Sequence, residues 1–280
     1  MSLVTVADLS LRTSAGDPIV SGIDLTIGHG EIVGVIGESG SGKSMTLKAI
    51  AGLLPNGIEA SGSIAYEGTE LTTLSRSAYR AFRDRELGIV YQDPRAHVNP
   101  VHTVGDFLTE ALLVNRRMSR RDAVARITKL CREVGITEPE TQLSAYPYQF
   151  SGGMLQRAVI AAALATDPRL ILADEPTTAL DVTRQAEVAF LLRSQVRERG
   201  IGMMFITHDL ELAAALCDRV YVMYRGGIVD GFAADRIFES RHPYTMALLR
   251  ARPSLGSGRQ RLATITEELR AEIDEEVGRR

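Results

Sequence analysis

Gly37-Glu38-Ser39-Gly40-Ser41-Gly42-Lys43-Ser44 follows the apolar run Ile32-Val33-Gly34-Val35-Ile36 and precedes Met45-Thr46-Leu47-Lys48-Ala49-Ile50-Ala51-Gly52. The run before it reads as a buried strand. The segment after it reads as a helix closed by glycine. A strand, a G-x-x-x-x-G-K-[ST] turn and a helix together spell a phosphate-binding loop. Its glycines let successive backbone N–H groups turn inward around phosphate oxygens, and the helix N-terminus adds the positive end of its dipole. In such a loop Lys43 reaches the β- and γ-phosphates and the Ser44 hydroxyl ligates Mg²⁺.

Working outward, residues 1–36 alternate strand-like runs with turns at Ser14-Ala15-Gly16-Asp17-Pro18 and Gly28-His29-Gly30, an antiparallel prelude to the loop. Further strands are expected at 62–66 and 89–91. From Asp93 to about Phe150 strand patterns nearly vanish, and Ala123, Val124, Ile127, Leu130 and Val134 fall at helical spacing, so a mainly helical insertion is predicted. Strands return at 170–173, 203–206 and 220–224, the last turning at Arg225-Gly226-Gly227 into a hairpin. Strands alternating with helices imply a mostly parallel α/β sheet wrapped by helices. Beyond Arg241, Ser254–Gly258 reads as a linker. Leu262, Ile265, Leu269, Ile273 and Val277 then share one helical stripe, which would lie either on its own domain or against a partner.

Bulk properties narrow the classes. The chain has 280 residues, of which 45% are hydrophobic and 24% charged, an ordinary globular composition. A net charge of -3 gives no electrostatic footprint for nucleic acid, and none is expected as a partner. The longest apolar run, Ala158 to Ala165, falls short of the ~20 residues of a membrane span. The N-terminus lacks the basic start and apolar core of a signal peptide. Cys131 and Cys217 sit among apolar neighbours and are too few for a disulfide framework, so buried thiols and a reducing, cytosolic compartment are expected.

Two further stretches carry chemistry. Leu170-Ile171-Leu172-Ala173-Asp174-Glu175 describes a buried strand delivering two carboxylates to its C-terminal edge, where ligands bind in open α/β sheets. Side chains alternate along a strand, so the two acids should diverge. Asp174 suits the Mg²⁺ sphere, and Glu175 suits positioning or deprotonating an attacking water. Ser151-Gly152-Gly153, ahead of an alanine-rich helix, is an N-cap with bared backbone N–H groups, a second helix start suited to anions.

The order of these motifs resembles that of the ATP-binding-cassette ATPases. The phosphate loop is followed by Tyr91-Gln92-Asp93-Pro94, Ser151-Gly152-Gly153, Asp174-Glu175-Pro176, Ala179-Leu180-Asp181 and Thr207-His208-Asp209. The resemblance covers residues 1 to about 235. It implies a P-loop NTPase cassette: a nucleotide-binding core with an antiparallel β subdomain over 1–92 and 161–240, a helical signature subdomain over 93–160, and an extension over 241–280. Residues Gly37 to Ser44, with Met45, would bind ATP. Ser44, Gln92 and Asp174 would hold Mg²⁺, with Gln92 also at the attacking water. Glu175 and His208 would be catalytic, His208 contacting the γ-phosphate. Ser151, Gly152 and Gly153 would bind the ATP held by an opposite subunit, and Asp181 would line the seam between subunits.

Finer features are similar to the dipeptide, oligopeptide and nickel importer ATPases: Tyr91-Gln92-Asp93-Pro94 with Asn99-Pro100, Phe150-Ser151-Gly152-Gly153-Met154, and Arg241-His242-Pro243-Tyr244-Thr245. That branch implies peripheral attachment at the cytoplasmic face of a membrane. The partners it implies are two permease subunits, a second, non-identical ATPase and, indirectly, an extracytoplasmic substrate-binding protein. Met154 stands where most cassettes have glutamine, as in one of the two subunit types. Two departures stand out. The aromatic residue that usually stacks on adenine falls by register at Thr13, which cannot stack. The cysteine-rich segment that many peptide-importing relatives carry after the His-Pro-Tyr motif is missing, so no metal or iron–sulfur site is expected there. The rival reading is a soluble cassette ATPase without a transport role.

Overall fold

The computed structural model describes residues 2–177, 181–251 and 273. The chain opens with strands β1 (Ser2–Thr13) and β2 (Pro18–Gly28), then β3 (Ile32–Ile36), the glycine-rich loop and helix α1 (Lys43–Ala51). Next come β4 (Ile58–Tyr66), β5 (Thr69–Glu70), α2 (Arg76–Glu86) and β6 (Leu87–Val90). Helices α3 (Pro94–His97), α4 (Val104–Val114), α5 (Arg120–Glu133) and α6 (Pro139–Gln142) fill the middle of the chain, ahead of α7 (Gly152–Leu164). The remainder runs β7 (Leu170–Asp174), α8 (Val182–Arg199), β8 (Gly202–Ile206), α9 (Leu210–Leu216), β9 (Arg219–Tyr224), β10 (Gly227–Ala233) and α10 (Pro243–Arg250).

Two sheets form, as the resemblance implies. The first is antiparallel, in the order β2-β1-β4-β5. The second, β10-β9-β3-β8-β7-β6, is parallel except for the β9–β10 hairpin at its edge. Its central strands are buried on both faces, so they read as continuous apolar runs, and the period of two decides which core each residue enters. Ile32, Ile36, Ile171, Ala173, Met203 and Phe205 pack toward the helices. Val33, Val35, Leu170, Leu172, Met204 and Ile206 pack toward α1 and the antiparallel sheet.

The helical stretch forms as expected, with Ala123, Ile127, Leu130, Cys131 and Val134 in the helix-side core. Helix α7 runs unbroken from Gly152 to Leu164, so a boundary after residue 160 cuts through one helix. Cys131 and Cys217 are both buried and unbridged, and burial pushes the Cys131 thiol up to about 11. No helix among the described residues is long and apolar enough to cross a membrane. Of the tail stripe, Ile273 is buried in the helix-side core, while Leu262, Ile265, Leu269 and Val277 lie outside the described residues.

Candidate functional site

Strand register assembles the site. Val90 pairs with Ala173 and Asp174 with Ile206, in parallel ladders. Gln92, Glu175 and His208 therefore leave the C-terminal edge of three adjacent strands, β6, β7 and β8. Strand β3, next to β8, delivers the glycine-rich loop to the same edge.

The loop is a constrained turn. Gly37 adopts φ +151°, and a Cβ there would meet the Met223 carbonyl oxygen at 2.2 Å. Gly42 at φ +102° opens α1, and no side chain caps that helix start, so its first N–H groups are suited to an anion. Lys43 is buried and curls under the loop, its Nζ donating to the carbonyls of Gly37 at 2.8 Å and Glu38 at 2.7 Å. Burial lowers its pKa, opposed by the carboxylates of Glu175, Asp174 and Glu38.

The Ser44 hydroxyl donates to Asp174 Oδ1 at 2.8 Å. Burial raises the Asp174 pKa, the Ser44 hydrogen bond lowers it, and the Glu175 charge raises it. Glu175 Oε2 accepts from Gln92 Nε2 at 3.2 Å and lies 3.4 Å from His208 Nδ1. The hydrogen bond to Glu175 raises the His208 pKa, partly opposed by burial. The two acids diverge as expected, but not by strand alternation alone. Strand β7 ends at Asp174, and Glu175 takes φ +44°, a left-handed conformation costing roughly 1–2 kcal/mol for a non-glycine residue. Its N–H still donates to the Ile206 carbonyl at 3.1 Å, which holds the turned residue against β8.

A serine hydroxyl, a carboxylate and an amide carbonyl are hard oxygen donors that fit Mg²⁺, which takes one or two carboxylates and completes its sphere with water and substrate phosphates. A carboxylate can only accept a hydrogen bond from Gln92, so the amide nitrogen faces Glu175 and the amide oxygen is the atom that could meet a cation. No cluster of three or more His, Cys, Asp or Glu suited to a metal occurs among the described residues.

Ser151, Gly152, Gly153 and Asp181 form a second group. Ser151 caps α7, accepting from Met154 N–H at 3.3 Å, and Asp181 caps α8, accepting from Arg184 N–H at 3.1 Å. Both residues are exposed. A Cβ on Gly153 would lie 3.8 Å from Arg184 Cδ, so the two helix starts are neighbours. Ser151 and Asp181 bond locally to their own helices, while Ser44, Gln92, Asp174, Glu175 and His208 converge on one another. Thr13 closes the 13–17 turn, its hydroxyl accepting from Asp17 N–H at 3.1 Å. Missed in the sequence is Tyr244, whose hydroxyl accepts from the Glu38 N–H at 3.0 Å. The Arg241–Thr245 motif was its only signal.

Comparison with known proteins shows the family. The ABC transporter family profile matches residues 20–178. The oligopeptide transport ATP-binding protein OppD of Bacillus subtilis is 43% identical over 270 residues, covering 94% of this chain and 75% of that protein. The dipeptide transport ATP-binding protein DppD of Haemophilus influenzae is 40% identical over 285 residues, 99% of this chain and 86% of that protein. Among solved structures, the dimeric post-hydrolysis state of the ATP-binding cassette MJ0796 bound to ADP and Pi aligns with a TM-score of 0.73. It is 26% identical and covers 82% of this chain and 98% of that one. The cbiO1 cassette of Clostridium perfringens, part of the cbiONQ complex, aligns with a TM-score of 0.76 at 26% identity, covering 89% and 95%.

Proposed function

We propose, from the premise that this chain belongs to the ABC transporter family, that it is the ATP-binding and ATP-hydrolysing subunit of an importer. Its cargo would be peptides, nickel or a related small solute. The observation that carries the reading is the convergence of Gln92 and His208 on one oxygen of Glu175, beside the Ser44–Asp174 pair. The names of the relatives, oligopeptide and dipeptide transport proteins, favour peptides.

In this reading the N–H groups from Gly40 to Met45 and the Lys43 ammonium grip the triphosphate. Ser44, Asp174 and the Gln92 oxygen would hold Mg²⁺, which when bound would neutralise phosphate charge. Glu175 accepts the proton of a water aligned by Gln92, and His208 contacts the γ-phosphate, which couples it to the Glu175 charge. Ser151, exposed at the start of α7, would complete the pocket of a second, non-identical ATPase together with Gly152 and Gly153, with Asp181 at the seam. The partnered chains sit at the cytoplasmic face of a membrane beneath two permease subunits, which an extracytoplasmic binding protein serves. ATP binding closes the pair and hydrolysis reopens it.

The test is affinity purification of the tagged chain from detergent-solubilised membranes. Recovery of two hydrophobic membrane subunits and a second cassette, with ATPase activity in the assembled particle, is the expected result. A chain recovered alone and active from the soluble fraction, with no membrane subunit, would refute the importer reading.

A further inference from the structure

Tyr244 is fully buried at the start of α10, and it meets the phosphate loop across 206 positions of sequence. The N–H that it binds belongs to the Gly37–Glu38 peptide, whose carbonyl accepts from Lys43 Nζ at 2.8 Å. A trans peptide is planar, with N–H and C=O pointing in opposite directions. The phenol and the ammonium thus hold the two ends of one plane, and rotating that plane would break both bonds. Gly37 cannot relieve such a rotation by retreating, because the Met223 carbonyl backs it closely.

The tyrosine is itself held in place. Its ring lies 4.4 Å from that of Tyr224, and Tyr224 carries the Arg225 guanidinium 5.5 Å above its own face. His242 Nδ1 accepts the Tyr244 N–H at 3.3 Å. Asp230 Oδ2 on β10 accepts from Thr245 Oγ1 at 2.8 Å and Ser240 Oγ at 2.5 Å. The motif therefore anchors α10 to the β9–β10 hairpin and aims one hydroxyl at the loop.

We propose that Tyr244 is a positioning residue for nucleotide binding, its hydroxyl fixing the Gly37–Glu38 peptide and, through it, Lys43. This rests on the ATPase reading above and deepens it, because seating of the 241–250 segment and occupancy of the loop become thermodynamically linked.

The test uses the full chain in its assembled complex. Tyr244→Phe keeps the ring and deletes the hydroxyl. The KM for ATP rises about two- to tenfold, the span of one hydrogen bond, while kcat holds within about twofold because Gln92, Glu175 and His208 are unaltered. Thr245→Val loosens the Asp230 anchor but keeps the Tyr244 hydroxyl, so its KM rises by less than that of Tyr244→Phe. A purely structural role would lower the unfolding temperature of Tyr244→Phe without moving KM. An unchanged KM in that variant, or an equal rise in Thr245→Val, overturns the proposal while leaving the ATPase reading intact. Absence of activity in the unsubstituted complex would remove both. A second measurement needs no variant: amides 244–250 exchange hydrogen more slowly when a non-hydrolysable ATP analogue is bound, and unchanged exchange contradicts the link.

Discussion

Replacing Glu175 with glutamine keeps the shape of the side chain and removes its charge and its capacity to take a proton. Two contacts define the consequence. Gln92 Nε2, at 3.2 Å, can still be met by the amide oxygen, whereas His208, at 3.4 Å, loses the carboxylate that raises its pKa. A positioned general base typically contributes about 10²–10⁴-fold. Turnover at this chain's site should fall by that factor, while ATP still binds through the loop. The assay is phosphate release from the assembled complex, run with the partner chain's own hydrolytic carboxylate already replaced so that a single site is read. ATP occupancy is measured in parallel by filtration of labelled nucleotide. Loss of turnover with occupancy retained is expected. Undiminished turnover would refute the role of Glu175, and loss of occupancy together with turnover would show that the residue supports binding rather than chemistry.

Lys43→Met removes the ammonium, whose contacts with a phosphate are charge-assisted and worth roughly 1.5–3 kcal/mol. The Kd for ATP, read by displacement of a fluorescent analogue, should rise about ten- to hundredfold. His208 supplies a pH signature. Its folded-state pKa lies above the ordinary 6.5 because it bonds to Glu175, so the stability from this pair is fully present below pH 6.5 and is lost as pH rises through the raised value. Thermal unfolding across pH should show His208→Ala destabilised at acid pH and matching the unsubstituted chain at alkaline pH.

Much of this site is legible in sequence because its parts are local. A buried parallel strand declares itself as an unbroken apolar run, and the turn after it must supply glycines, so residue type alone places Gly37 to Ser44 and Asp174-Glu175. Register then needs only adjacency of β6, β7 and β8 to bring Gln92 and His208 to Glu175. Other parts were not legible. Helix α2 leaves little trace because its surface is charged and Phe82 is its one buried residue, too little for a pattern. The left-handed turn at Glu175 replaces the simple alternation expected there, since a backbone angle leaves no mark on residue type at a functional position. The Tyr244–Glu38 bond spans most of the chain, and no local spacing announces it. Ser151 and Asp181 are legible as helix caps, but the purpose proposed for them depends on a second subunit.

That dependence is tested most directly by solving the structure of the assembled complex with Glu175→Gln and ATP–Mg²⁺ bound. The expected map places Ser151 and the N–H groups of Gly152 and Gly153 against the γ-phosphate of ATP gripped by the other cassette, with Asp181 at the seam. ATP fully enclosed by one chain, with residues 151–153 facing solvent, would contradict a nucleotide site shared between two subunits.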